Sequence, residues 1–172
     1  MEGARVPERA SGAYILLVRL RRPTTLEVGR LGPIAFGPGN YVYIGSGMGG
    51  LSRRVKRHFR RDKKVKWHID RLLAVAELSG AVLFPSDRRE ECRLARAVLA
   101  SPGASVVPGF GSSDCRCPGH LVRLGALPFG ALLGRLDGRE PSAVSREPGI
   151  NDAVSSGSRL TAHGSRISEA SQ

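Results

Sequence analysis

Apolar residues along this chain change period partway, and the change divides it into elements. Tyr14 to Leu20 is a continuous apolar, β-branched-rich run that predicts a strand. Thr25 to Val28 and Ile34 to Phe36 are shorter strand candidates separated by Gly and Pro. Gly37-Pro38-Gly39-Asn40 is turn chemistry, and Tyr41 to Ile44 predicts a second clear strand closed by Gly45. The period then lengthens. Leu51, Val55 and Phe59 recur at four-residue spacing and predict a helix that buries them. A second helix is expected over Trp67 to Val75, a strand over Gly80 to Phe84, and a third helix from an Asp87 cap to Leu99, ended by Ser101-Pro102-Gly103. His120 to Leu124 reads as a last strand. The set is too small for a doubly wound sheet. It predicts an α+β domain, a small mostly antiparallel sheet flanked by about three helices. Residues 1–10 read as a disordered arm and residues 11–135 as the folded domain. Apolar periodicity fades over residues 136–172, where Ser, Gly, Arg, Ala and Glu dominate, so a flexible tail is expected there.

Charge sharpens this picture. The chain has 172 residues and a formal net charge of +12. Between Ser11 and Ala126 stand 20 Lys and Arg against 8 Asp and Glu, so the whole excess falls on the expected domain. Such a surface attracts polyanions, and nucleic acid is the first candidate partner. No long apolar stretch or basic amphipathic anchor supports a membrane. The basic residues are concentrated. From Arg53 to Lys66, nine of fourteen residues are Lys or Arg: Arg53, Arg54, Lys56, Arg57, Arg60, Arg61, Lys63, Lys64 and Lys66. A run this dense repels itself. Counterion release on a phosphate backbone supplies a reason for it, against the alternative of a solvated face.

There are three cysteines and no secretory signal, which makes a reducing cytoplasm the simplest location, with thiols free or bound to metal. Cys115-Arg116-Cys117 with His120 looks like part of a zinc site that Cys92 would complete as Cys₃His. Buried small thiols beside a hydrogen-bonded histidine are the plainer alternative. Ser113, Asp114 and His120 bordering a catalytic cleft are a further one.

All three tyrosines, Tyr14, Tyr41 and Tyr43, lie in two strand motifs. Phosphodiester hydrolysis needs an activated water and charge neutralisation at the phosphoryl oxygens. Tyr14 could position or deprotonate water with Tyr43 as its hydrogen-bonding partner, or both rings could fill the core. Tyr41 shares the strand face of Tyr43 and is open between packing and substrate contact. Arg54 offers a fork suited to phosphate oxygens. His58, one turn on, could be an acid, a base, a phosphate contact or a donor to backbone.

Gly12-Ala13-Tyr14 and Tyr43-Ile44-Gly45, followed by a basic helix with Arg54 and His58, resemble the GIY-YIG nuclease superfamily. Ala13 stands where that family usually has Ile. The resemblance is closer to one branch, the GIY-YIG-like domain of unknown function number 123. It is carried by Gly12-Ala13-Tyr14, Tyr41 through Ser46, Arg57-His58, Trp67-His68-Ile69-Asp70, Glu91-Cys92, and Phe110 through Cys117 with His120-Leu121. It implies a metal-dependent endonuclease acting on DNA more than RNA, in repair or processing. It also implies a glutamate holding Mg²⁺ or Mn²⁺, which Glu91 matches: on a helical wheel Glu91 falls near the middle of the apolar face of Leu94, Ala95, Val98 and Leu99, an inward carboxylate that needs either a metal or, as the alternative, a structural ion pair with a nearby arginine. Ser46, His68 and Asp70 are further candidates, with Asp70 and His68 open between lining the active face and pairing locally. A catalytically weak nucleic-acid-binding module and a zinc-stabilised structural domain are the alternatives.

Overall fold

A computed structural model describes Pro7, residues 9–136 and, by backbone alone, residues 143–145. Most of the expected arm and tail lies outside the described residues. The elements are β1 (Gly12–Leu20), β2 (Thr24–Glu27), β3 (Pro33–Phe36), β4 (Gly39–Ser46), α1 (Leu51–Phe59), α2 (His68–Leu73), β5 (Glu77–Pro85), α3 (Glu91–Leu99), β6 (Ser105–Val106), β7 (Leu121–Arg123), α4 (Phe129–Leu133) and β8 (Ala143–Ser145). The main sheet runs β6-β7-β4-β1-β5-β8 with every neighbouring pair antiparallel, and β2 and β3 form a separate hairpin. The α+β expectation holds, with a fourth short helix, α4, that periodicity did not reveal. Within the segment expected as tail, Ala143–Ser145 pairs with Ala81 to Leu83 at the sheet edge.

Strand β1 is central and buried on both faces, which is why it reads as a continuous apolar run rather than an alternation. Tyr14, Leu16 and Val18 join Tyr41, Ala81, Leu83 and Leu121 on one face, under Leu51 and Val55 of α1, Ile69 and Leu72 of α2, and Phe110. Ala13, Ile15 and Leu17 join Val42, Ile44, Val82 and Val122 on the other, under Leu94, Ala95 and Val98 of α3 and Leu132 of α4. The sheet therefore separates two cores, each made by the period-two alternation of the same strands.

Two boundaries differ from expectation. Chain β5 extends to Pro85, and Ser86 N–H then donates to Ser11 O, so the chain is still tied to the start of β1 where Asp87 was expected to cap a helix. Helix α3 begins only at Glu91, with Glu90 as its flanking residue. In α1 the third buried position is His58, not Phe59, which is half-buried. A strict four-residue spacing drifts by about 40° per step from the true 100° period, so it leaves the buried stripe after two steps.

The β1–β4 register sets the geometry that matters most below. Tyr14 lies opposite Gly45, and a Cβ at Gly45 would stand 2.4 Å from the Tyr14 hydroxyl oxygen and from its Cζ. The ring occupies the space that this glycine leaves empty. Gly45→Ala is expected to destabilise the fold by about 1–3 kcal/mol through overpacking. The same substitution should cost less in a Tyr14→Ala background, read as coupling in a urea double-mutant cycle. Equal costs in the two backgrounds would contradict this packing.

Candidate functional site and metal-ligand cluster

Helix α1 lies against the β1–β4 pair and delivers His58 inward. The Tyr14 hydroxyl and His58 Nε2 are 2.8 Å apart, and both residues are 2% exposed. The Tyr43 ring lies 6.5 Å from that of Tyr14, centroid to centroid, and is half-buried. Behind His58, its Nδ1 faces Asp70 Oδ1 at 4.0 Å, too long for a hydrogen bond, and has no closer partner. If the Tyr14 O–H donates to Nε2, the proton of the neutral ring sits on Nδ1, toward Asp70.

Asp70 is a buried carboxylate with a full set of donors. Arg57 meets it as a fork, Nη1 to Oδ1 at 3.1 Å and Nη2 to Oδ2 at 3.0 Å, and the backbone N–H groups of Lys66 and Trp67 donate to Oδ2. Burial alone pushes its carboxyl up, but the Arg57 fork and the two backbone donors outweigh this and hold it below the usual carboxylate range. Asp70 thereby caps the first turn of α2 and pins it to α1. Both local pairing and placement behind His58 are realised by one side chain.

Electrostatics around the tyrosines follow from burial. Tyr14 is pushed well above the ordinary tyrosine value by desolvation, then by Tyr43, with Arg54 pulling the other way. Tyr43 is pushed up to about 12 by burial; Arg54 opposes this, while Asp70, Asp114 and Glu91 add to it. His58 is lowered to about 4, chiefly by burial, with Asp70 opposing, so the ring is neutral near pH 7. Arg54 is exposed and lies over the Trp67 ring at 4.9 Å. Arg57 stacks on the same ring at 4.0 Å and Lys66 stands 5.7 Å from it.

The remaining candidates divide. Arg53, Lys56, Arg60, Arg61, Lys64 and Lys66 are exposed. Arg57 is engaged within the fold, also donating to Lys64 O, and Lys63 donates to His58 O. Tyr41 is packing: its hydroxyl donates to Gly37 O at 2.7 Å and its ring meets Phe36. Ser46 closes β4 opposite Ala13, half-buried. His68 lies edge-on to Phe110, and Phe110 in turn packs on Tyr43. Glu91 is buried, and its Oε2 has no hydrogen-bond partner. Arg89, which was not singled out in the sequence, holds Nη1 3.9 Å from Glu91 Oε1 and 3.6 Å from the exposed Asp114. A cation thus already stands between these two carboxylates. Gly111, with φ of +73°, brings its loop against Tyr43, where a Cβ would lie 2.7 Å from the ring.

A second cluster lies beside Glu91. One ligand atom each from Cys92, Cys115, Cys117 and His120 falls within 4.8 Å of the others, a set that could hold a metal ion. His120 Nε2 is 3.5 Å from Cys115 Sγ and 3.8 Å from Cys92 Sγ. Burial lowers the His120 value, with Glu91 and Asp114 opposing, and burial together with Cys117 and Cys115 pushes the Cys92 thiol up to about 12.

An α+β domain with a buried tyrosine–histidine–aspartate line on one sheet face, and a Cys₃His cluster beside a buried glutamate, is the class the fold and site define. The family model described as Domain of unknown function DUF123 matches residues 13–129, more than half of the chain, and the chain belongs to that family. No curated protein and no solved structure matches it. No helix among the described residues is long and apolar enough to cross a membrane.

The buried pair makes acid a specific stress. The His58 value is lower folded than unfolded, so the unfolded chain takes up the proton first. Stability from this group is full above about pH 6.5 and falls as pH drops toward about 4, at up to about 1.4 kcal/mol per pH unit. Asp70, lowered in the fold, adds a loss below the usual carboxylate range. Thermal melts between pH 7.5 and 4 should slope less in His58→Gln than in the parent. Parallel slopes would contradict a neutral buried His58.

Proposed function

We propose that this chain is an endonuclease-like domain that hydrolyses phosphodiester bonds in DNA, with Tyr14, Tyr43, Arg54 and His58 as its reacting face. The observation that carries the reading is the 2.8 Å contact between the Tyr14 hydroxyl and His58 Nε2, with Asp70 behind it. Tyrosine alone is a poor base at neutral pH, and burial makes this one poorer. A neutral histidine in hydrogen-bond reach changes that. As the Tyr14 oxygen takes a proton from water, its own proton passes to His58 Nε2. The resulting imidazolium faces the Asp70 carboxylate across 4.0 Å, and the opposite charge at that distance stabilises it. The hydroxide oxygen bonds to phosphorus, and the bond to the leaving oxygen breaks. Tyr43, the less buried tyrosine, orients the water at the mouth of the pair. Arg54, exposed on α1, neutralises a phosphoryl oxygen.

The superfamily resemblance adds a divalent cation, with Glu91 as its candidate ligand. Glu91 offers a buried carboxylate oxygen, Oε2, with no hydrogen-bond partner, and a divalent ion there would displace the Arg89 guanidinium that now stands 3.9 Å from Oε1. One carboxylate with waters and a phosphate suits Mg²⁺ or Mn²⁺. When bound, such an ion polarises phosphoryl oxygens and supports the leaving group. The exposed basic residues Arg60, Arg61, Lys64 and Lys66 supply the docking rim for the phosphate backbone. That rim also favours a second reading, a binding module of the same fold whose catalysis is weak.

The test is a panel of labelled DNA substrates, duplex, branched and gapped, with RNA alongside, incubated with Mg²⁺ or Mn²⁺. Cleavage should fall about 100-fold or more in Tyr14→Phe, as loss of a proton-transfer group implies, and Glu91→Ala should abolish its dependence on the divalent ion. Cleavage unchanged in Tyr14→Phe would sink the relay. Salt-sensitive binding with no cleavage anywhere on the panel would leave the binding module standing.

A further inference from the structure

The nuclease reading leaves three cysteines and a buried histidine unused. We propose that Cys92, Cys115, Cys117 and His120 form a structural Zn²⁺ site that clamps the start of α3 to the loop before β7.

The geometry matches such a centre. Zinc sits about 2.3 Å from thiolate sulfur and about 2.0 Å from imidazole nitrogen, so tetrahedral bonding separates sulfur from nitrogen by about 3.5 Å. The two separations here are 3.5 and 3.8 Å. Hydrogen bonding explains this poorly. A single Nε2 has one proton or one lone pair, yet two sulfurs approach it, and a third completes the group. Four ligands from three thiols and one imidazole close the coordination sphere, which is the structural arrangement, with no open position for water. Binding replaces the waters of the aqueous ion and releases the three thiol protons to solvent.

The chain around the cluster explains why a clamp is useful. Cys115, Cys117 and His120 lie between Phe110 and β7 in a stretch of turns and bends. Backbone bonds hold that stretch at its ends, from Gly109 N–H to Pro118 O and from His120 N–H to Phe110 O. Cys92 comes from the first turn of α3, packed on the opposite sheet face. Metal would cross-link segments that share no strand pairing. It would also fix two carboxylates, because Glu91 precedes Cys92 and Asp114 precedes Cys115. Both act on Tyr43. This last consequence rests on the proposed nuclease reading; the site itself does not.

The test uses the full chain, purified without chelator from zinc-replete cells. Elemental analysis should give about one zinc per chain. Cobalt added to stripped protein should give the thiolate charge-transfer and tetrahedral d–d bands of an S₃N site. Cys115→Ser and Cys117→Ser should lose the metal and melt lower by an amount on the order of 10 °C, while Arg116→Ala keeps both. Should the cysteine variants fail to fold, alkylation of the parent decides: all three thiols should resist iodoacetamide until zinc is stripped. Metal near zero with freely alkylated or disulfide-bonded cysteines overturns the site. One zinc per chain with no cleavage on any substrate leaves the site standing and removes only the nuclease reading.

Discussion

Asp70 is the constraint on which the rest of this site depends. A carboxylate with no solvent exposure must be fully compensated or it unfolds its surroundings. Here the Arg57 fork and two backbone N–H groups do so, and in doing so they join α1 to the start of α2. That junction holds His58 against Tyr14, and Gly45 opposite leaves room for the ring. Trp67, at the same junction, becomes the plate on which Arg54 and Arg57 rest. One buried charge thus accounts for the positions of a helix, of His58 and of the Trp67 ring that carries Arg54.

The two faces of the sheet contribute differently. The α1–α2 face carries the tyrosine–histidine line and the basic rim. The α3–α4 face contributes through the beginning of α3 alone, where Glu91 and Cys92 emerge beside the loop that ends at β7. Tyr43 is influenced by charges from both: Arg54 lowers its value, while Glu91 and Asp114 raise it. Phe110 and Gly111 bring the loop into contact with that same ring.

Much of this was legible in the residues, and the failures have physical causes. Strand β1 is apolar throughout because both faces are buried, and it read as a strand for that reason. Glu91 was placed inward by its wheel position, and it is buried. The burial of His58 was missed because a four-residue rule outran the 3.6-residue period. Arg57 was counted with the phosphate-binding cations because composition does not reveal an internal partner thirteen residues away. The start of α3 was set too early because the cap signal at Asp87 lost to a tertiary hydrogen bond from Ser86 to Ser11. Cys92 was grouped with Cys115, Cys117 and His120 from residue type alone, and the fold does bring the four together.

Trp67 is the only tryptophan in the chain and lies at 4.9 Å from the Arg54 guanidinium, so its fluorescence reports directly on the proposed nucleic-acid face. A short DNA duplex titrated into the protein without divalent metal should change Trp67 emission saturably. Raising salt should reverse the change, and Arg54→Ala should diminish it. Saturable binding, followed independently by anisotropy of the DNA, with Trp67 emission unaltered would mean that nucleic acid docks elsewhere, and would contradict the account.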